Sequence, residues 1–144
     1  MKFFSRRITV RTADHADLVN ITETVREIVK MSGVRDGSVN VFITHTTAPL
    51  TINENEPGLE KDILEFMTRL VPEEGNYMHH HFFRADGRMA VNAWAHIRAS
   101  LLGGSLTIPV EEGKMVLSRR QNIYLVEFDG PKERNLFVQV QGEE

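Results

Sequence analysis

The sequence predicts a single α+β domain, residues 1–144, built mainly on antiparallel strands. Helix-period and strand-period segments alternate through the first two-thirds of the chain. The last third is a set of closely spaced strands joined by short Gly-containing turns. No repeat, low-complexity tract or linker divides the chain. It has 144 residues, 41% of them hydrophobic, and a domain of that size buries roughly two-thirds of the surface exposed on unfolding. A core can therefore form without a covalent staple. The absence of cysteine excludes disulfide scaffolds, thiolate metal sites, Fe–S clusters and cysteine nucleophiles.

The elements follow in order. Residues 4–12 alternate well enough to read as a strand. Asn20-Ile21-Thr22-Glu23 has the form of a capping box, with Asn20 accepting from the third amide and Glu23 reaching back. Ile21, Val25, Ile28 and Val29 continue at helical spacing, and Ser32-Gly33 supplies a left-handed stop. Val39, Val41 and Ile43 share one parity, so residues 39–45 read as a strand, followed by a second at Leu50–Glu54. Pro57 suits the first turn of a helix whose buried face is Leu59, Ile63, Phe66, Met67 and Leu70, ended by Val71-Pro72. Residues 73–91 lack a period and read as a long loop. A helix over 92–102 stops at Gly103-Gly104. Strands at 106–110, 115–117, 123–128 and 136–140 complete the chain, with turns at Glu111–Lys114 and Gly130-Pro131.

Charge narrows the function. Seventeen Lys and Arg against twenty Asp and Glu give a net charge of −3. That balance lacks the basic excess that drives phosphate-backbone binding, so nucleic acid is not an expected partner. No apolar run approaches the ~20 residues of a membrane span, and no signal-peptide core stands near Met1, so the expectation is a soluble, cytoplasmic domain without a membrane partner.

With thiols excluded, imidazole and carboxylate are the strong metal ligands left. The six histidines are His15, His45, His79, His80, His81 and His96. His45 shares the parity of Val39, Val41 and Ile43 at a strand exit, where a site can open or where a core-edge imidazole can simply bond a carbonyl. His96 lies one helical turn after Asn92 and one before Ser100, beside an apolar stripe of Ile97 and Leu101; the alternative is a solvated helix face. Neighbouring loop residues point different ways, so His79-His80-His81 can give at most one or two members to a site. Histidines from a strand end, a loop and a helix can meet as three ligands with an open fourth position, the pattern of catalytic zinc. Asn53, Glu54, Asn55 and Glu56 bring carboxylates and amides to a strand-to-helix junction, where turn and cap roles compete. Arg98, Arg119 and Arg120 can hold an anion or solvate a surface. No glycine-rich nucleotide loop is present.

Together these segments resemble a known family. His45-Thr46-Thr47-Ala48 running into Leu50–Asn55 is similar to the "HTTA…TINEN" segment of the YjbQ family, described as secondary thiamine-phosphate synthases. The similarity continues through Arg69–Glu73, Tyr77–His79, Asn92–Gly103, Ser105–Val110, Gln121 and Gln139–Gly142, nearly the whole chain. The resemblance implies a β-sandwich of mainly antiparallel strands with flanking helices, assembled as a homotrimer. It places the family's histidines on His45, His79 and His96, with His80 or His81 replacing His79 if the alignment slips. Asn92 and Ser100 become the groups that orient His96 or touch ligand; Asn53, Arg98 and Gln121 join them as ligand-contact candidates, and Glu54 is the candidate base beside His45. The implied cofactor is a divalent metal, zinc by its ligands, and the implied ligand is a small anion. The implied reaction joins a pyrimidine diphosphate to a thiazole phosphate, releasing diphosphate. Magnesium prefers oxygen ligands, so three histidines suit a metal-dependent hydrolase or lyase better, and a non-enzymatic metal- or anion-binding protein is a further reading. Two segments depart from the family: Ser118-Arg119-Arg120 stands where Gly-Thr-Trp is common, and Phe82–Val91 matches only at Asp86-Gly87.

Overall fold

The computed structural model describes residues 1–81 and 91–144; Asp86-Gly87 and nearly all of the divergent Phe82–Val91 segment lie outside the described residues. Among the described residues, eight strands and three α-helices follow one another as β1 (Lys2–Arg11), β2 (Asp17–Asn20), α1 (Thr22–Ser32), β3 (Asp36–Ile43), β4 (Leu50–Glu54), α2 (Pro57–Leu70), α3 (Ala93–Leu102), β5 (Ser105–Glu111), β6 (Lys114–Met115), β7 (Gln121–Glu127) and β8 (Glu133–Glu143). A 3₁₀ turn, Met78–His81, precedes α3. The strands form two antiparallel sheets, a five-stranded one in the order β1-β8-β3-β5-β6 and a three-stranded one in the order β2-β7-β4. This is the α+β, mainly antiparallel architecture that the sequence predicts.

Alternation explains the layers. In β7, Ile123 and Leu125 join Val39, Val41, Leu136, Val138 and Val140 in one apolar cluster between the sheets, which α1 closes with Val25, Ile28 and Val29. The other parity of β7, Tyr124 and Val126, continued by Phe128 just past the strand, packs with Met67 of α2 and Trp94 and Ala95 of α3. With both faces covered, β7 reads as an unbroken apolar run. The larger sheet is covered on its inner face, and Phe42 on its outer face is 52% exposed.

The structure differs from the sequence expectations locally. Asn20 pairs with Tyr124 as the last residue of β2, so its side-chain oxygen accepts from the Thr22 amide, at 3.0 Å, and the Thr22 hydroxyl, while its Nδ2 donates to Asn122 Oδ1 at 3.1 Å. Glu23 pairs with Arg26 instead of closing a capping box. The expected stop at Gly33 is present, at φ 74°, a left-handed conformation that glycine adopts without strain. In α2 only Met67 is fully buried, and Phe66 and Leu70 are each 54% exposed, because the helix lies on the smaller sheet by one edge. On α3 the Ile97/Leu101 stripe faces outward while Trp94, Ala95 and Arg98 are buried. No helix among the described residues is long and apolar enough to cross a membrane.

Candidate functional site

The site forms where strand ends, the 3₁₀ turn and the start of α3 meet. Just past β3, Thr44 is pinned to β8: its amide and hydroxyl both donate to the Asn135 carbonyl, at 3.2 and 2.9 Å. The Asn135 amide donates back to His45 Nε2 at 2.8 Å, which puts the ring proton on Nδ1. Burial, then the charges of Arg134 and Lys132 against an opposing pull from Glu127, hold this imidazole below its ordinary value, so it is neutral.

The tight turn at 78–81 sorts the three adjacent histidines. His79 Nε2 lies 3.1 Å from Asn92 Oδ1, and its ring stands edge-on to His96, with centroids 4.9 Å apart. His80 Nε2 accepts from the Ala93 amide at 3.1 Å, satisfying one of the orphan donors of the first turn of α3. His81 Nε2 meets Asn76 Oδ1 at 2.6 Å. Of the three, His79 is the one that reaches His96.

A relay fixes His79. Asn92 donates through Nδ2 to Asp129 Oδ2 at 2.9 Å, so its Oδ1 is turned to accept from His79 Nε2–H, leaving His79 Nδ1 as the free lone pair. Asp129 in turn holds Lys132 Nζ at 2.7 Å. Burial alone would raise Asp129, but the bonds from Lys132 and Asn92 outweigh it and hold the carboxyl below its usual range. Beneath lies a buried ion pair: Arg134 grips both carboxylate oxygens of Glu127, with Nε to Oε1 at 2.8 Å. Burial pushes Glu127 up, yet Arg134, the Asp129 amide and the Thr12 hydroxyl together hold it down and ionised.

His45, His79 and His96 line one cleft of about 460 Å³ with Thr44, Thr46, Thr47, Asn92, Lys132 and Arg134. A second hollow of about 510 Å³ shares His45, Thr46 and His96 and runs past Ser100 to Gly103 and Gly104. A family model described as "UPF0047 protein YjbQ-like" matches residues 6–143. The chain belongs to the YjbQ-like UPF0047 family. A UPF0047 protein of Archaeoglobus fulgidus is 44% identical over 131 residues, covering 91% of this chain and 96% of that one. The UPF0047 protein YugU of Bacillus subtilis is 31% identical, covering 95% and 98%. Among solved structures, a YbjQ-like protein of unknown function from Sulfolobus solfataricus superposes with a TM-score of 0.92 at 38% identity, covering 99% of both chains. A yjbq/upf0047 protein of Clostridium acetobutylicum gives 0.86 at 39% identity, covering 94% of this chain and 99% of that one.

In this YjbQ-like chain the remaining candidates separate by place. Asn92 joins the cleft through its amide. Ser100 lines the adjoining hollow, but its hydroxyl bonds the His96 carbonyl at 3.1 Å and not the imidazole. Arg98 is buried, donating twice to the Val71 carbonyl at 3.0 and 2.7 Å, and lies over the Phe128 ring. Asn53, Glu54 and Gln121 sit at the opposite end of β4 and β7. There Asn53 caps the Glu54 amide, Glu54 lies 3.8 Å from Arg120, and Gln121 accepts from Ser118. Arg119 is exposed in the same stretch.

Sequence reasoning missed Lys132, Asp129, Thr44 and the Glu127–Arg134 pair. The last left a signal: Glu127 follows Ile123 and Leu125 on the inward parity, and Arg134 precedes Leu136 and Val138 on theirs. A charge in the buried register of two strands consecutive in the chain, here from opposite sheets, marks an internal pair. A divalent metal meets a mixed fit here. Imidazole nitrogens, with the His79 ring oriented by the Asn92 amide, are donors of the kind zinc takes. Among the described residues, however, no three His, Asp or Glu side chains stand close enough to hold an ion as they lie, and His45 Nε2 is engaged by Asn135.

Proposed function

We propose that this YjbQ-like chain is a homotrimeric enzyme that takes a small phosphorylated molecule into the His45/His79/His96 cleft and acts on it with a divalent metal, zinc by donor type. The observation that carries this reading is the meeting of three histidines, far apart in sequence, in one charge-balanced cleft. Both permanent cations in the described lining have carboxylate partners, Lys132 with Asp129 and Arg134 with Glu127. Positive charge for an anionic ligand then has to come from protonated imidazole or a bound metal. His79 and His96 would hold the metal, with His45 completing the set once it releases the Asn135 amide. Bound there, zinc would supply Lewis acidity and a lowered pKa for water.

The chain's own groups would do the rest. Lys132, steadied by Asp129, would face a phosphate oxygen, and the Thr46 and Thr47 hydroxyls would donate to the others. This charge balance favours a hydrolase or lyase acting on a phosphate monoester over thiamine phosphate synthesis, since a departing diphosphate needs more cation than Lys132 provides. The exposed Ile97 and Leu101, one turn apart on α3, support assembly, because adjacent apolar side chains on a surface are commonly covered by a partner.

The test is turnover of phosphate monoesters, and of a pyrimidine diphosphate with a thiazole phosphate, by metal-free and zinc-loaded protein. The reading expects zinc-dependent monoester turnover that is lost in His45→Ala, His79→Ala and His96→Ala. Saturable binding without turnover would make the protein a metal- and anion-binding module instead. Light scattering at three times the chain mass checks the trimer.

A further inference from the structure

Away from the histidines, a second groove of about 540 Å³ lies between α1 and the β5–β6 hairpin. Its walls are Arg26 and Lys30, one turn apart on α1, and Lys114 on the hairpin; Val29 and Met115 give it an apolar floor. The hairpin is set by Glu112 and Gly113, both at positive φ, 52° and 81°, which turns Lys114 back toward the helix. Like charges one helical turn apart repel, and Lys114 brings a third across the groove. Arg26 is offset by Glu23. Among the described residues, neither Lys30 nor Lys114 is in a salt bridge. In a chain of net charge −3 this is a local excess of cations and not a share of a general one.

We propose that the groove between α1 and the β5–β6 hairpin is a second ligand site, for a small phosphate monoester carrying a ring-sized apolar group. Lys30 and Lys114, the two cations of the groove without a carboxylate partner among the described residues, match a dianion, and a phosphate monoester is close to dianionic at neutral pH. Val29 and Met115 match an apolar body, and the volume is that of a small-molecule pocket. The site does not depend on the reading of the histidine cleft, because it shares no residue with it.

The probe is 1-naphthyl phosphate, titrated into protein carrying 13C-methyl methionine, with the Met115 methyl as reporter. The expected result is a saturable Met115 shift, weakened at least tenfold in Lys30→Glu/Lys114→Glu and unchanged in His79→Ala. Inorganic phosphate and 1-naphthol should each bind at least tenfold more weakly. Rising salt should weaken the phosphate ester alone. A still Met115 methyl overturns the proposal, as does equal binding of 1-naphthol or an unchanged midpoint in the double variant. Lys30→Gln/Lys114→Gln, which removes charge without reversing it, should lie between wild type and the reversal. Cosedimentation with phosphatidylglycerol vesicles that depends on the same lysines would also overturn the small-molecule assignment.

Discussion

The two ends of the smaller sheet hold similar residues and differ in what those residues do. At one end Asn53, Glu54, Gln121 and Asn122 are capped by near neighbours, and Glu54 and Arg120 face each other at 3.8 Å with both side chains well exposed. At the other end Glu127 and Arg134 are fully buried, and Asp129, Lys132 and Asn92 run outward from them to His79. The difference comes from what covers each end. Only at the second do the β3 exit, the start of β8, the 3₁₀ turn and α3 converge, so polar groups there have to satisfy one another. A carboxylate on an open strand end is solvated; one under four converging segments becomes part of a network.

The largest effect should come from breaking the buried pair. Glu127→Gln or Arg134→Met leaves one charge stranded and should cost roughly 3–5 kcal/mol in urea unfolding. Glu54→Gln, at the open end, should cost within about 1 kcal/mol. Equal losses would erase the contrast between the two ends. Next, Asn92→Ala frees His79 and should weaken binding of zinc on the order of 10–100-fold by calorimetry, while Asn53→Ala leaves it unchanged. A smaller effect is expected at His80. His80→Ala removes the acceptor for the Ala93 amide and should cost about 1 kcal/mol, as the loss of a helix cap does, with zinc affinity intact. Zinc affinity lost with His80 but kept without His79 would reassign the ligand.

The smallest effect is in the titration of two histidines with opposite environments. His15 is raised by its bond to Glu73, so its stabilising contribution is full below the ordinary value of 6.5 and is lost as pH rises through the higher folded value. His45 is lowered by burial and by Arg134, so its contribution is full above 6.5 and is lost as pH falls through the lower folded value. Ring-proton NMR should give a midpoint above 6.5 for His15 and below it for His45; the reverse order would contradict both environments.

Much of this was legible in the residues. The alternation of Val39, Val41 and Ile43 and the two-sided apolar run of β7 predict strands by the burial that shapes them. Leu50–Glu54 and Pro57–Leu70 begin and end where periodicity, Pro57 and Val71-Pro72 say they should. The histidine convergence was legible only in part. His45 and His96 stand out by parity and helical spacing, but neither rule sorts His79 from His80 and His81, because a loop carries no period. The 3₁₀ turn and the Ala93 amide do the sorting, and both are tertiary facts. Arg98 misleads for a related reason: a guanidinium on a helix looks like an anion contact until the Val71 carbonyl at the end of α2 is seen to claim it. Short β2 carries too few residues for an alternating pattern and is held by β7 alone.

Whether three imidazoles answer to one bound species can be read in a single titration. Long-range 1H–15N spectra of the histidine rings, recorded as zinc chloride is added, should show His45, His79 and His96 moving with a common midpoint while His15 and His81 stay behind. If His45 keeps its bond to the Asn135 amide and its shift does not change while the other two saturate, the three do not form one centre.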